Sequence, residues 1–169
     1  MYDYNLTVNS PPMLNDPSTR TRDMHVLDMA GHLIRRLHQH STSTFGERTQ
    51  AAGFDLTPVQ FAALDAIHAH PGTDQARVAE LIGYDRATMG GVIDRMVKKG
   101  WVRRVVSQED RRARELSLTA KGDNVRLTAL PTVELLQQEI LKPLNPADQA
   151  TLMSLIRQIV VPNDSTQAN

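Results

Sequence analysis

From residue 24 to about 52, apolar or small residues recur at Leu27, Ala30, Gly31, Ile34, Leu37, Ser41 and Phe45. That three-and-four spacing marks one face of a helix, and Gly53 supplies its stop. The segment LTPVQFAALDAIHAHPG opens a second helix. Thr57 is its N-cap, Pro58 its first residue, Gln60 the partner that completes a capping box, and Leu56 can staple to Phe61. Phe61, Leu64 and Ile67 point inward until His70-Pro71-Gly72 ends the run. A third, short helix starts near Thr73 or Asp74, carries Val78, Leu81 and Ile82 on one face, and stops at Gly83-Tyr84. Asp85 caps a fourth helix whose Met89, Val92, Ile93, Met96 and Val97 face the core, with Gly100 as its end. Two short helices joined by a tight glycine-containing turn are a helix-turn-helix.

After Gly100 the period shortens. WVRRVVS alternates and is β-branched, QEDRRAR is a polar turn, and ELSLT alternates again, which predicts a β-hairpin with a basic tip. Thr119 caps another helix through Val125, Leu127, Leu130, Val133, Leu136 and Ile140, in which Pro131 is expected to kink or interrupt the run. Asn145-Pro146 opens a last helix through Leu152, Leu155, Ile156, Ile159 and Val160. The expected fold class is mainly α: a winged helix-turn-helix over about residues 56–118, flanked by helices at about 24–52 and 119–161, all within one domain of residues 23–161. Residues 1–22 and 162–169 are polar and aperiodic and read as a disordered arm and a flexible tail.

The 169 residues suit one compact domain or a small reading head with a helical extension. No apolar stretch approaches the roughly 20 residues of a membrane span, and the first residues lack the basic start and apolar core of a signal peptide. A cytoplasmic protein with no membrane partner is the expectation. The absence of cysteine excludes disulfide frameworks, thiol nucleophiles and thiol-based redox sensing. No phosphate-cradling glycine loop, GxSxG or HExxH occurs, so no catalytic residue is assigned and the chain is not expected to be an enzyme.

The net charge of zero hides an asymmetry: Asp85 to Arg114 holds nine Lys or Arg against four acids. A basic block on a helix-turn-helix suits the phosphates of double-stranded DNA. On the fourth helix Arg86 suits guanine or phosphate, Thr88 a thymine methyl or phosphate, and Gly90 close backbone approach, while Arg95, Lys98 and Lys99 would meet the sugar-phosphate backbone. In the hairpin tip Asp110, Arg111, Arg112 and Arg114 have the composition of a minor-groove probe, with an acid able to brace an arginine.

The succession TPVQFAAL, VAELIGYDRATMGGVIDRMVKKGWVRR and EDRRARELSLTAKG resembles the MarR family of bacterial regulators over about residues 24–160. The resemblance implies Arg112 in the minor groove, Asp110 bracing the wing, and the fourth helix in the major groove. It also implies a homodimer interlocked through the first and last two helices, reading a palindromic operator. HLIRRLHQ in the first helix resembles members that control aromatic-compound catabolism. Arg35 would pair with a carboxylate, His38 would hydrogen-bond a phenol, and Phe61 would supply an apolar wall, making a small aromatic or phenolic acid the effector of a repressor. The competing assignment makes Arg35 an intersubunit ion pair and His38 an interface residue. Two functional alternatives stand beside this one: a winged-helix module that docks its basic wing on an acidic protein, and a zinc-responsive regulator whose site would have to be assembled in three dimensions from among the six histidines. No metal-ligating motif and no cofactor are assigned.

Overall fold

The computed structural model describes residues 25–106 and 114–160. The expectations for the two ends, and for Asp110, Arg111 and Arg112 at the wing tip, lie outside the described residues. The chain forms two units, Met1–Arg36 and Leu37–Asn169.

In the first unit a single 3₁₀ turn, His25–Asp28, precedes the start of α1 (Ala30–Ala51). The predicted continuous helix from residue 24 is therefore interrupted: the Met29 amide bonds to the Val26 carbonyl at 3.2 Å, a three-residue closure that ends the tight turn before the α-helical bonds begin. Leu27, Leu33 and Ile34 are exposed.

The second unit takes the remainder of α1, then α2 (Pro58–Ala69), α3 (Gln75–Leu81), α4 (Arg86–Lys98), strands β1 (Val102–Val106) and β2 (Arg114–Leu118), α5 (Ala120–Ile140) and α6 (Pro146–Val160). The α1 stripe turns inward only at its end, where Phe45 is buried and the Thr49 hydroxyl donates to the Phe45 carbonyl at 2.8 Å. Gly53, at φ 82°, closes α1 in the left-handed conformation that a side chain resists. The α2 capping box forms as expected: Gln60 N–H donates to the Thr57 hydroxyl and Thr57 N–H to the Gln60 side chain.

The core of the reading head gathers Leu64 and Ile67 of α2, Val78 of α3, Met89, Ile93 and Met96 of α4, and Leu116 of β2, all fully buried. Phe61 is half-buried against this cluster. Leu81 and Val97, expected inside, are each 37% exposed, because each sits at the edge of its helix's apolar stripe. The antiparallel hairpin pairs Val102 with Leu118 and Val106 with Arg114. Gly72 and Thr73 bond to Leu116 through N–H···O contacts of 2.9 and 2.8 Å, so the loop entering α3 is fastened to the wing.

Thr119 caps α5 as predicted: its hydroxyl accepts from Gly122 N–H at 3.0 Å and donates to the Gly100 carbonyl at 2.7 Å. Pro131 does not interrupt α5. The carbonyl deprived of a donor there belongs to Leu127, on an exposed flank where water can replace the lost bond. Asn145 caps α6, its side-chain oxygen accepting from Asp148 N–H at 3.0 Å, and no residue of α6 is buried.

Candidate nucleic-acid interface

The site is built on α3, the turn at Gly83 and α4. Asp74 caps α3 by accepting from Arg77 N–H at 2.8 Å, and Asp85 caps α4 by accepting from Thr88 N–H at 2.8 Å. Gly83, at φ 63°, makes the turn between them. The Thr88 hydroxyl also donates to Asp85, at 2.7 Å. These contacts, the hydroxyl first, hold the Asp85 carboxyl below its ordinary value. They also commit the only proton of the Thr88 hydroxyl, so what Thr88 presents outward is its methyl group and an acceptor. That suits a thymine methyl better than a phosphate, which only accepts.

Arg86, Thr88, Arg95 and Lys98 are all exposed on α4, and Arg86, Arg95 and Lys98 form no ion pair among the described residues. Four of the predicted contacts are thus solvent-accessible on α4. Gly90 differs from expectation. It is half-buried beneath the Gln75 amide of α3, while its neighbour Gly91 is exposed, with Arg95 Nη1 3.6 Å from where its Cβ would stand. The hairpin is tied to the same helix, because Arg104 of β1 meets Asp94 of α4 at 2.8 Å. Arg114, at the first position of β2, is exposed and pairs across the hairpin with Val106.

Several interactions that fix the reading head were not foreseen. Lys99, just past α4 and expected from the sequence on the sugar-phosphate backbone, has its ammonium engaged within the protein: it donates to the Asp55 carbonyl at 2.7 Å and pairs with its carboxylate at 2.8 Å, 4.4 Å from the centre of the buried Trp101 ring. Arg126 of α5 is buried and reaches Asp65 of α2 at 3.4 Å and Asp123 at 3.2 Å, and His68 approaches Asp123 at 3.3 Å. Salt bridging between Arg48 and Glu139 joins α1 to α5.

Of the candidate effector residues, Arg35 lies in the first unit, where it donates to His32 Nδ1 at 3.4 Å. His38 is exposed on α1 and Phe61 half-buried on α2, both in the second unit. A cleft of about 450 Å3 between α1, α5 and α6 is lined by Leu37, Ile140, Leu141, Met153 and Ile156. Among the described residues no three His, Asp or Glu side chains are grouped to hold a metal ion, and no helix is long and apolar enough to cross a membrane.

A helix-turn-helix with a hairpin tied to its second helix is a winged helix-turn-helix, a DNA-reading module. Residues 54–113 match the model of the MarR family. The transcriptional regulator HosA of Escherichia coli O127:H6 is 33% identical over 137 residues, 81% of this chain and 98% of HosA. Two solved structures superpose closely. BpsR of Bordetella bronchiseptica, described for regulation of its DNA binding by 6-hydroxynicotinic acid, gives a TM-score of 0.73 at 26% identity, covering 80% of this chain and 96% of BpsR. The transcriptional repressor CouR, bound to a 23-mer DNA duplex, gives 0.72 at 26% identity, covering 80% and 95%. The chain belongs to the MarR family. It is a DNA-binding transcriptional regulator and not an enzyme.

Proposed function

We propose that this regulator is a homodimeric repressor that holds a palindromic operator and releases it when a small aromatic acid binds. The observation that carries the DNA-reading part is the row of exposed cations on α4, Arg86, Arg95 and Lys98, unpaired among the described residues beside the Thr88 methyl. In this reading each α4 enters a major groove, and Asp110, Arg111, Arg112 and Arg114 of each wing serve the adjacent minor groove. The dimer part is supported by the apolar side chains that one chain leaves in water: Leu135 on α5, and Leu155, Ile159 and Val160 on α6, are between 51% and 77% exposed. A second copy of the same helices would cover them and bring two reading heads to one duplex.

The aromatic effector is supported by BpsR, described for regulation of its DNA binding by 6-hydroxynicotinic acid; in this reading the exposed His38 is the phenol partner and Phe61 the wall. Release follows if the acid binds more tightly to a dimer whose two α4 helices do not fit the operator spacing.

Selection of bound duplexes from a random pool, repeated with hydroxylated benzoates, cinnamates and nicotinates, tests the proposal. A recovered palindrome whose enrichment collapses with one compound supports it. A palindrome indifferent to every compound removes the effector, and no enriched sequence removes the operator. On the recovered duplex, Arg112→Ala is expected to weaken binding with the fold intact and to lower the slope of log K against log salt by about one, measured by fluorescence anisotropy.

A further inference from the structure

One polar group on the reading head is not used by the contacts above. Gln75 is the first residue of α3 and is half-buried. Its side chain lies across Gly90 of α4, where an added Cβ would stand 3.2 Å from the amide nitrogen and 3.8 Å from the amide oxygen. The amide makes no side-chain hydrogen bond to another described residue. An amide carries two donor hydrogens and an accepting oxygen, and here they are unspent at the edge of the DNA-reading face.

The glycines explain why that edge matters. Met89, Val92, Ile93 and Met96 point α4 inward. At 100° per residue the opposite ridge begins with Ala87 and Gly91, so the first turns of the helix carry little side chain there. Two polar heads overlie the glycine pair, one from α3 and one from the next turn of α4 itself. Gln75 covers Gly90 from α3, and Arg95, leaning toward the helix start as helical side chains do, would stand with Nη1 3.6 Å from a Cβ on Gly91. A side chain at 90 would press on the first head and shift it by a few tenths of an ångström. The two glycines, each unfavourable inside a helix, thereby gain a use.

We propose that Gln75 is a specificity-determining residue of the reading head, its amide pairing with the N6 and N7 edge of an adenine in the major groove while Gly90 keeps its seat open. The pairing matches the donor–acceptor pattern of that edge. The inference rests on the assignment of α4 to the major groove, and it moves one base of each half-site from α4 to α3.

The bland role for Gln75 is that of a spacer between two helices, and base preference separates the two. The full-length protein and its Gln75→Ala, Gln75→Glu and Gly90→Ala variants are each put through selection from the same random duplex pool, with thermal unfolding measured alongside. The wild type is expected to recover an adenine at one fixed position of each half-site. Gln75→Ala lowers that preference by about 5- to 100-fold and leaves other positions unchanged. Gln75→Glu, which can only accept when ionised, moves the same position toward cytosine. Gly90→Ala keeps Gln75 in the chain but disturbs its seat, and perturbs that position alone. Overall weaker binding with every base preference intact in both Gln75 variants would make the residue a spacer and overturn the proposal. A wild type that enriches no sequence overturns the groove assignment itself, and Gln75 with it.

Discussion

Asp85 shows how one side chain can serve both folding and reading. Its carboxylate accepts from the Thr88 hydroxyl and amide, and so both starts α4 and turns the Thr88 methyl outward. Because those bonds exist only in the folded chain, the folded carboxyl titrates below the unfolded one. The contribution to stability is complete above the unfolded value of about 3.9 and is lost as pH falls through the folded one. Asn caps a helix about as well without titrating. Thermal midpoints of the wild type and Asp85→Asn, followed from neutral pH down into this acid range, are therefore expected to converge as pH falls. Parallel curves would mean that the cap contributes nothing that depends on its charge.

Which residues were legible depended on the range of their contacts. Thr57 with Gln60, Asp85 and Thr119 were read directly, since a cap and its partner lie within three residues and their chemistry is local. The setting of Gly90 was not legible: periodicity separated inner from outer positions on α4 but could not see Gln75 arriving from another helix. The Lys99–Asp55 and Arg126–Asp65 pairs were illegible for the same reason, as their partners are 44 and 61 positions away.

At the scale of elements, the hairpin and α5 are held by a tight crossing at Trp101. Thr119 N–H bonds to the Trp101 carbonyl at 3.0 Å, and a Cβ on Gly122 would stand 2.0 Å from that carbonyl oxygen. Backbone on one side and helix on the other leave nothing flexible to yield. Gly122→Ala is expected to cost about 1–3 kcal/mol despite the better helix propensity of alanine, measured by denaturant unfolding. An unchanged or raised stability would show that β1 can move away from α5, and that the wing is less firmly placed than the contacts indicate. The order of elements was readable because the hydrophobic period switches from helix to strand at Gly100 and back at Thr119. The helix was read through Pro131 to Ile140 as observed, but that the proline would leave it uninterrupted depends on the freed carbonyl meeting water, a property of the surface and not of the local sequence.

At the scale of the whole molecule, the apolar faces read on the first and last helices are exposed in the single chain at Leu27 and Ile34 and again at Leu155 and Ile159. Periodicity finds an apolar face but not what covers it. If a second copy covers α6, an aspartate at position 159 would place a charge in an apolar contact and split the dimer, whereas the reading head, with its separate core, would stay folded. Sedimentation equilibrium of Ile159→Asp is expected to give a folded monomer with weakened operator binding. A dimer of wild-type affinity would place the contact elsewhere.

The most direct test of the account is the mass of the complex formed on the recovered operator, measured by analytical ultracentrifugation with and without the hydroxylated aromatic acids. The account predicts two chains on one duplex and their departure when the matching acid is added. One chain per duplex, or a complex that no such acid disturbs, would contradict the ligand-released dimer.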